Sequence, residues 1–149
     1  MKDSLNWQIM RFNELSLEQL YQIMALRSEV FVVEQNCIYQ DLDNKDQDAL
    51  HVCGFYKGKL VAYCRIFRPG YYFEDAAIGR VIVAKECRSF KIGHVLMQKS
   101  IATVLELFDT SSIMISAQVY LLKFYQSHGF LVVGEEYLED GIPHVQMKR

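Results

Sequence analysis

The sequence predicts an α+β fold, one mixed sheet of six or seven strands with helices on its faces. Two stretches predict it. Residues 78–108, IGRVIVAKECRSFKIGHVLMQKSIATVLELF, read as strand, basic loop and helix. The strand holds the run Val81-Ile82-Val83, β-branched residues that fit a pleated surface. The helix shows in Met97, Ile101, Val104, Leu105 and Phe108, which form one apolar stripe at helical spacing. Upstream, apolar runs at 50–56 and 60–67 flank a Lys57-Gly58 turn, and Pro69-Gly70 leads back toward residue 78. Three consecutive antiparallel strands are expected there. At 149 residues the chain reads as one domain, 1–149, able to bury roughly two-thirds of its unfolded surface.

The remaining elements follow in order. Residues 7–12 alternate loosely and make a first strand. Ser16 with Gln19 forms a capping box, and Leu17, Leu20, Tyr21, Met24 and Phe31 keep helical spacing, so a helix is expected over 16–31. Residues 34–48 break that period. Asp41, Asp43, Asp46 and Asp48 alternate there as in a calcium loop, but the following glycine and the distal glutamate are missing. A solvated loop is expected, not an ion site. Past residue 108, the sequence predicts a buried strand at 113–117 and a short helix at 120–128 ended by Gly129. Two last strands, 130–137 and 144–148, are joined by 139–143.

Composition narrows the function classes. A net charge of −2 argues against a nucleic-acid partner, so any basic patch must be local. No apolar run reaches the length of a membrane span. Cys37, Cys53, Cys64 and Cys87 include no C-x-x-C pair and read as buried free thiols of a cytoplasmic protein. His51, His94, His128 and His144 share no metal-ligand spacing, so no metal is expected.

The loop after the strand at 78–83 carries Lys85, Arg88 and Lys91 against the single acid Glu86, and Gly93 stands where the helix opens. A helix start offers unpaired N–H groups and the positive end of a dipole, which suits a phosphate. A glycine there lets backbone approach closely. The loop is neither a P-loop nor a dinucleotide fingerprint, since it has no Gly-Lys-Ser/Thr triplet and one glycine. Taken alone, it has a purely structural reading too.

A second constellation decides between them. Tyr125 stands four residues before Gly129-Phe130. With Arg88-x-x-Lys91-x-Gly93 after Val81-Ile82-Val83, this resembles the GCN5-related N-acetyltransferase (GNAT) superfamily. Lys91 replaces the first glycine of that family's cofactor loop, where a side chain now stands. The runs at 26–43, 78–83, 124–130 and 139–144 are similar to the ElaA-like branch, which tolerates a lysine at that place.

The resemblance implies a single-domain GNAT fold and acetyl-CoA as co-substrate. Its pantetheine arm would pair with the backbone of Val81, Ile82 and Val83. Its pyrophosphate would lie on the amides of Arg88, Ser89, Phe90, Lys91, Ile92, Gly93 and His94, with Gln118 also counted in the site. Tyr125 would be the general acid that protonates the leaving thiolate; as read from the residues, it is equally a core side chain beside Phe124 and Phe130. The partner is an amine that attacks directly in a ternary complex. An acetyl-cysteine route is the weaker option, because no cysteine adjoins a histidine. A non-catalytic acetyl-CoA sensor, transfer of a larger acyl group and a homodimer all stay open. The acceptor is expected beside Glu34, Gln35 and His144, near Glu139 and Asp140, with Glu34 or His144 as base.

Overall fold

Eight strands form one sheet in the computed structural model, which describes residues 4–149. They are β1 (Asn6–Arg11), β2 (Leu50–Tyr56), β3 (Lys59–Phe67), β4 (Ala76–Val83), β5 (Ile113–Gln118), β6 (Leu131–Val132), β7 (Tyr137–Glu139) and β8 (Ile142–Lys148). Their order is β1-β2-β3-β4-β5-β8-β6, and β7 also pairs with β8. Only β4 and β5 run parallel. The α+β class and the mixed sheet agree with the sequence reading; the strand count does not.

The extra strand comes from residues 130–137, expected as one strand. β6 pairs with Lys148 and Met147, while β7 pairs with His144, Pro143 and Ile142. Between them Gly134 has no side chain to pack, and Glu135 and Glu136 are exposed. That segment leaves the ladder.

Helix α1 (Leu17–Arg27) lies on one face and α2 (Ile92–Phe108) on the other. The capping box is present: Gln19 N donates to Ser16 Oγ at 3.1 Å, and Ser16 N donates to Gln19 Oε1 at 2.9 Å. Residues 28–31 do not continue as α-helix. The turns widen into a π-type segment, Ser28–Glu34, over a run that includes Val30, Val32 and Val33. The hairpin turn places both Lys57 (φ 49°) and Gly58 (φ 81°) in the left-handed region, as a type I′ turn requires. Helix α3 (Leu122–Gln126) is shorter than expected, and Gly129 at φ 90° follows it. All four cysteines are free and buried. No helix among the described residues is long and apolar enough to cross a membrane.

The aspartate loop corrects the sequence reading. Asp41, Asp43 and Asp46 face inward onto three arginines from three elements. Arg27, at the end of α1, bonds Asp41 at 2.9 Å and Asp46 at 2.5 Å. Arg65, in β3, bonds Asp43 at 2.5 Å and Asp46 at 2.8 Å. Arg80, in β4, bonds Asp41 at 2.8 Å. Arg27 and Arg65 are 1% and 2% exposed, so this is interior chemistry. Burial by itself would raise the Asp43 carboxyl, but the N–H bonds and charge of Arg65 outweigh it and hold the group well below the usual carboxylate range. Asp46 is treated the same way, burial opposing and Arg27 and Arg65 prevailing.

Removing one member strands its partners in the interior. Asp46→Ala leaves both Arg27 and Arg65 short of a carboxylate and should cost about 3–5 kcal/mol, read from urea unfolding. Because Asp43 and Asp46 titrate lower in the folded chain than the about 3.9 of an unfolded aspartate, their contribution is complete above that pH. It is lost progressively as pH falls below it. Unfolding free energy should therefore decline below about pH 4, and less steeply in Asp43→Asn.

Candidate active site

A bulge in β4 creates the site. Tyr63 of β3 pairs with Ile82 and Arg65 with Gly79, so Arg80 and Val81 together oppose Cys64. Arg80 takes a φ of 53°, the left-handed conformation of a bulge residue. The bulge bends β4, and its pairing with β5 stops after Ala76↔Ile113 and Ala77↔Met114. Beyond that point the strands part around a cavity of about 440 Å³. One wall holds Gly79, Val81 and Val83; the other holds Ile115, Ser116 and Gln118. The β4 backbone past Ala77 has no strand partner on the cavity side.

The end of β4 runs through a tight helical turn, Lys85–Phe90, into α2. No side chain caps α2 and its first turn carries no acid, so its leading N–H groups are free for an anion. Gly93 and His94 line the cavity at this end. Gly93, however, has no special backbone. A Cβ there would sit in ordinary van der Waals contact with Phe124 Cε1 at 3.4 Å and Val83 Cγ2 at 3.7 Å, so alanine would fit, and only a larger side chain would press on α3 and β4. The left-handed residue is Lys91, at φ 57°. The place usually filled by a glycine thus still needs glycine geometry, and a lysine supplies it under strain.

Of the other loop residues, Arg88 and Lys91 line the cavity. Ser89 and Phe90 are exposed outside it, and the Ile92 side chain is sunk in the core. Arg88 spans the mouth of the cleft. Its Nε donates to Val83 O at 3.0 Å, and its two terminal nitrogens hold Glu34 at 2.8 and 3.1 Å. The neighbouring Gln35 exchanges amide bonds with Gln118 at 3.0 and 3.4 Å. Residues expected on the cofactor side are therefore tied directly to residues expected on the acceptor side.

Tyr125 reaches the cavity from α3. Its ring packs edge-on against Phe124 and Phe130, with centroids at 5.1 and 6.0 Å. Its hydroxyl has no hydrogen-bond partner among the described residues, and the side chain lines the cavity. Burial pushes the phenol well above its ordinary value, so it keeps its proton. Across the cleft, His144 of β8 lies in register between Gln118 and Tyr137. Its Nδ1 meets Ile142 O at 2.7 Å, which assigns the N–H to that side and leaves Nε2 facing Glu139 Oε2 at 3.3 Å. Such a nitrogen can take up a proton and share it with a carboxylate.

Sequence reasoning missed several lining residues, among them Phe31, Arg80, Ser116 and Tyr120. Phe31 was legible only as a helix-face residue, and nothing in a strand pattern marks Arg80 as a bulge. His94 and His128 are also brought together, Nδ1 to Nε2 at 2.9 Å, linking the start of α2 to the end of α3. Among the described residues no three His, Cys, Asp or Glu side chains converge on a metal site.

Comparison with known proteins places this geometry. A family model described as "Acetyltransferase (GNAT) domain" matches residues 13–149. Protein ElaA of Escherichia coli (strain K12) is 45% identical over 147 residues, covering 97% of this chain and 96% of that one. The crystal structure of Escherichia coli ElaA superposes with a TM-score of 0.91 at 44% identity, covering 97% of this chain and 99% of the other. An acyl-CoA N-acyltransferase from Pseudomonas aeruginosa gives 0.93 at 38% identity, over 98% of this chain and 99% of that one.

The two positions of the loop should respond oppositely to substitution. Lys91→Gly removes a strained Cβ and should raise stability by up to about 1 kcal/mol. Gly93→Val drives a branched side chain into Phe124 and should lower it by about 1–3 kcal/mol. Chemical denaturation midpoints that shift in the same direction for both would contradict this assignment.

Proposed function

We propose, since the chain belongs to the acetyltransferase (GNAT) family, that it moves an acetyl group from acetyl-CoA to an amine by direct attack in the cleft between β4 and β5. One observation carries this reading. An unpaired strand edge, an uncapped helix start and a partnerless tyrosine hydroxyl meet in a single cavity.

The residues present fit such a co-substrate. Past its last pair with β5, the β4 edge that includes Val81 and Val83 offers the donors and acceptors that an amide-bearing arm needs. Ile82 is paired to Tyr63 of β3, and Val83 O already accepts from Arg88 Nε. The amides opening α2, with the cations of Arg88 and Lys91, suit a diphosphate. When bound, acetyl-CoA supplies a thioester open to amine attack and a thiolate that leaves. Tyr125 holds a proton at its hydroxyl for that sulfur. His144 takes the proton of the attacking amine at Nε2, and Glu139 shares the resulting charge. Gln35 and Gln118 bridge the cleft between these two groups and position the acceptor.

The burial of Tyr125 sets the pH behaviour. A raised phenol stays protonated through at least its ordinary value of about 10, so the acid imposes no alkaline fall in rate below that pH. Tyr125→Phe should lower turnover about 10²–10⁴-fold with acetyl-CoA affinity retained. The measurement is thiol release from acetyl-CoA across a panel of amines, with acetyl-CoA binding followed by calorimetry. Binding without amine-dependent thiol release from the unmodified chain would make it a sensor and overturn the enzymatic reading. A faster reaction with longer acyl-CoA would correct the acyl group alone.

A further inference from the structure

We infer that the Arg88–Glu34 pair is an exchangeable latch that orders the two substrates and selects a multiply charged amine; this rests on the reading above. All three nitrogens of the Arg88 guanidinium are engaged, Nε on Val83 O and the other two on the Glu34 carboxylate. Two N–H groups remain, but Arg88 can turn its terminal fork onto a phosphate only by giving up Glu34. The last carbonyl of β4 already accepts Arg88 Nε, so a ligand donor there shares it with that side chain.

The exchange is easily driven. Arg88 and Glu34 are 42% and 28% exposed, so solvent screens their pair and it is weak. A diphosphate carries more charge than one carboxylate and accepts from the same fork, with the uncapped amides of α2 beside it. The incoming acyl carrier therefore displaces Glu34 from the Arg88 fork, while Nε can keep its hold on Val83 O.

The freed carboxylate then changes the acceptor end. Glu34 sits at the close of the Ser28–Glu34 segment, next to Gln35, which is anchored across the cleft on Gln118. Once released, it is a negative group in the same cavity as Glu139 and Asp140. Glu139 is committed to His144, while Asp140 makes no ion pair among the described residues. Glu34 and Asp140 thus offer two separate anionic points. That favours an acceptor with positive charge beyond its reacting nitrogen, as in a polyamine. It also sets a preferred order: before the acyl carrier arrives, Arg88 neutralises Glu34 and the amine finds half a site.

A double-mutant cycle tests the latch, using the full chain and CoA as probe in calorimetry. Glu34→Gln should tighten CoA about two- to fivefold, because the competing partner is gone. In the Arg88→Ala background the same change should have no effect. Arg88→Lys, which keeps the charge and loses the fork, should show a reduced gain. Spermidine should bind at least about tenfold tighter with CoA present than without, and that enhancement should vanish in Glu34→Gln. Unchanged or weaker CoA binding in Glu34→Gln, or an equal effect in both backgrounds, overturns the latch. Spermidine binding that is absent or indifferent to CoA overturns the ordering and the acceptor class. In either case CoA binding to the unmodified chain leaves the acetyltransferase reading standing; failure of CoA to bind removes both.

Discussion

Arg80 holds a φ of 53° in the middle of β4, in a region that costs a side-chain-bearing residue about 1–2 kcal/mol. Its guanidinium is gripped by Asp41, with Nε at 2.8 Å from the carboxylate and Nη2 at 3.0 Å from the backbone carbonyl. Strain of this kind persists only where the surroundings over-determine it. Here they do, because Asp41 is itself fixed by Arg27 and by Tyr39, whose hydroxyl donates at 2.7 Å. Without the bulge, β4 would continue beside β5 and close the sheet. With it, the parallel pairing ends after two residue pairs and a cleft opens in the centre of the fold. The cavity, the free strand edge and the approach to Tyr125 all follow from that bend.

The same network reaches the other wall. Arg27 ends α1 and is locked to Asp41 and Asp46, so the following Ser28–Glu34 segment leaves α1 at a fixed point. The wider turns of that segment carry Phe31, Glu34 and Gln35 over the cleft rather than along the sheet. One cluster of six charged side chains therefore positions both the strand that would take the acyl carrier and the segment expected to meet the acceptor. A hydrophobic cluster of equal volume could stabilise the loop as well or better. It could not hold a positive φ in a strand by a directed, two-point grip. The geometry, more than the net energy, explains why charge is buried here.

Much of the fold was legible in the sequence because it rests on local patterns. The capping box at Ser16, the turn at Lys57-Gly58, the stripe from Met97 to Phe108 and the cap at Gly129 each depend on residues a few positions apart. What the sequence did not disclose depends on pairs far apart. The aspartates of the 41–46 loop read as solvated because their partners lie 14 to 39 positions away. The bulge at Arg80 was hidden for the same reason, since its conformation is enforced by Asp41. At the site, the loop expected to hold the cofactor was read from its strand, charge and helix start. Gly93 takes no positive φ, and a glycine kept for close approach and one kept for its backbone look identical in sequence. Lys91 shows the reverse case, a residue in glycine geometry that no composition rule would nominate.

Tyr125 shows why two readings of one residue need not compete. Its ring is 6% exposed and wedged between Phe124 and Phe130, as a core tyrosine should be. A buried phenol ordinarily finds a partner for its hydroxyl. This one has none among the described residues and faces the cavity instead. The apolar packing has two effects on the proton. It raises the phenol, so the proton stays in place through the working pH range. It also locks the ring, so the hydroxyl points to one spot with little rotamer freedom left to lose. A surface tyrosine would be easier to ionise and harder to aim. Core packing is therefore what would make the hydroxyl useful as an acid in the proposed reaction.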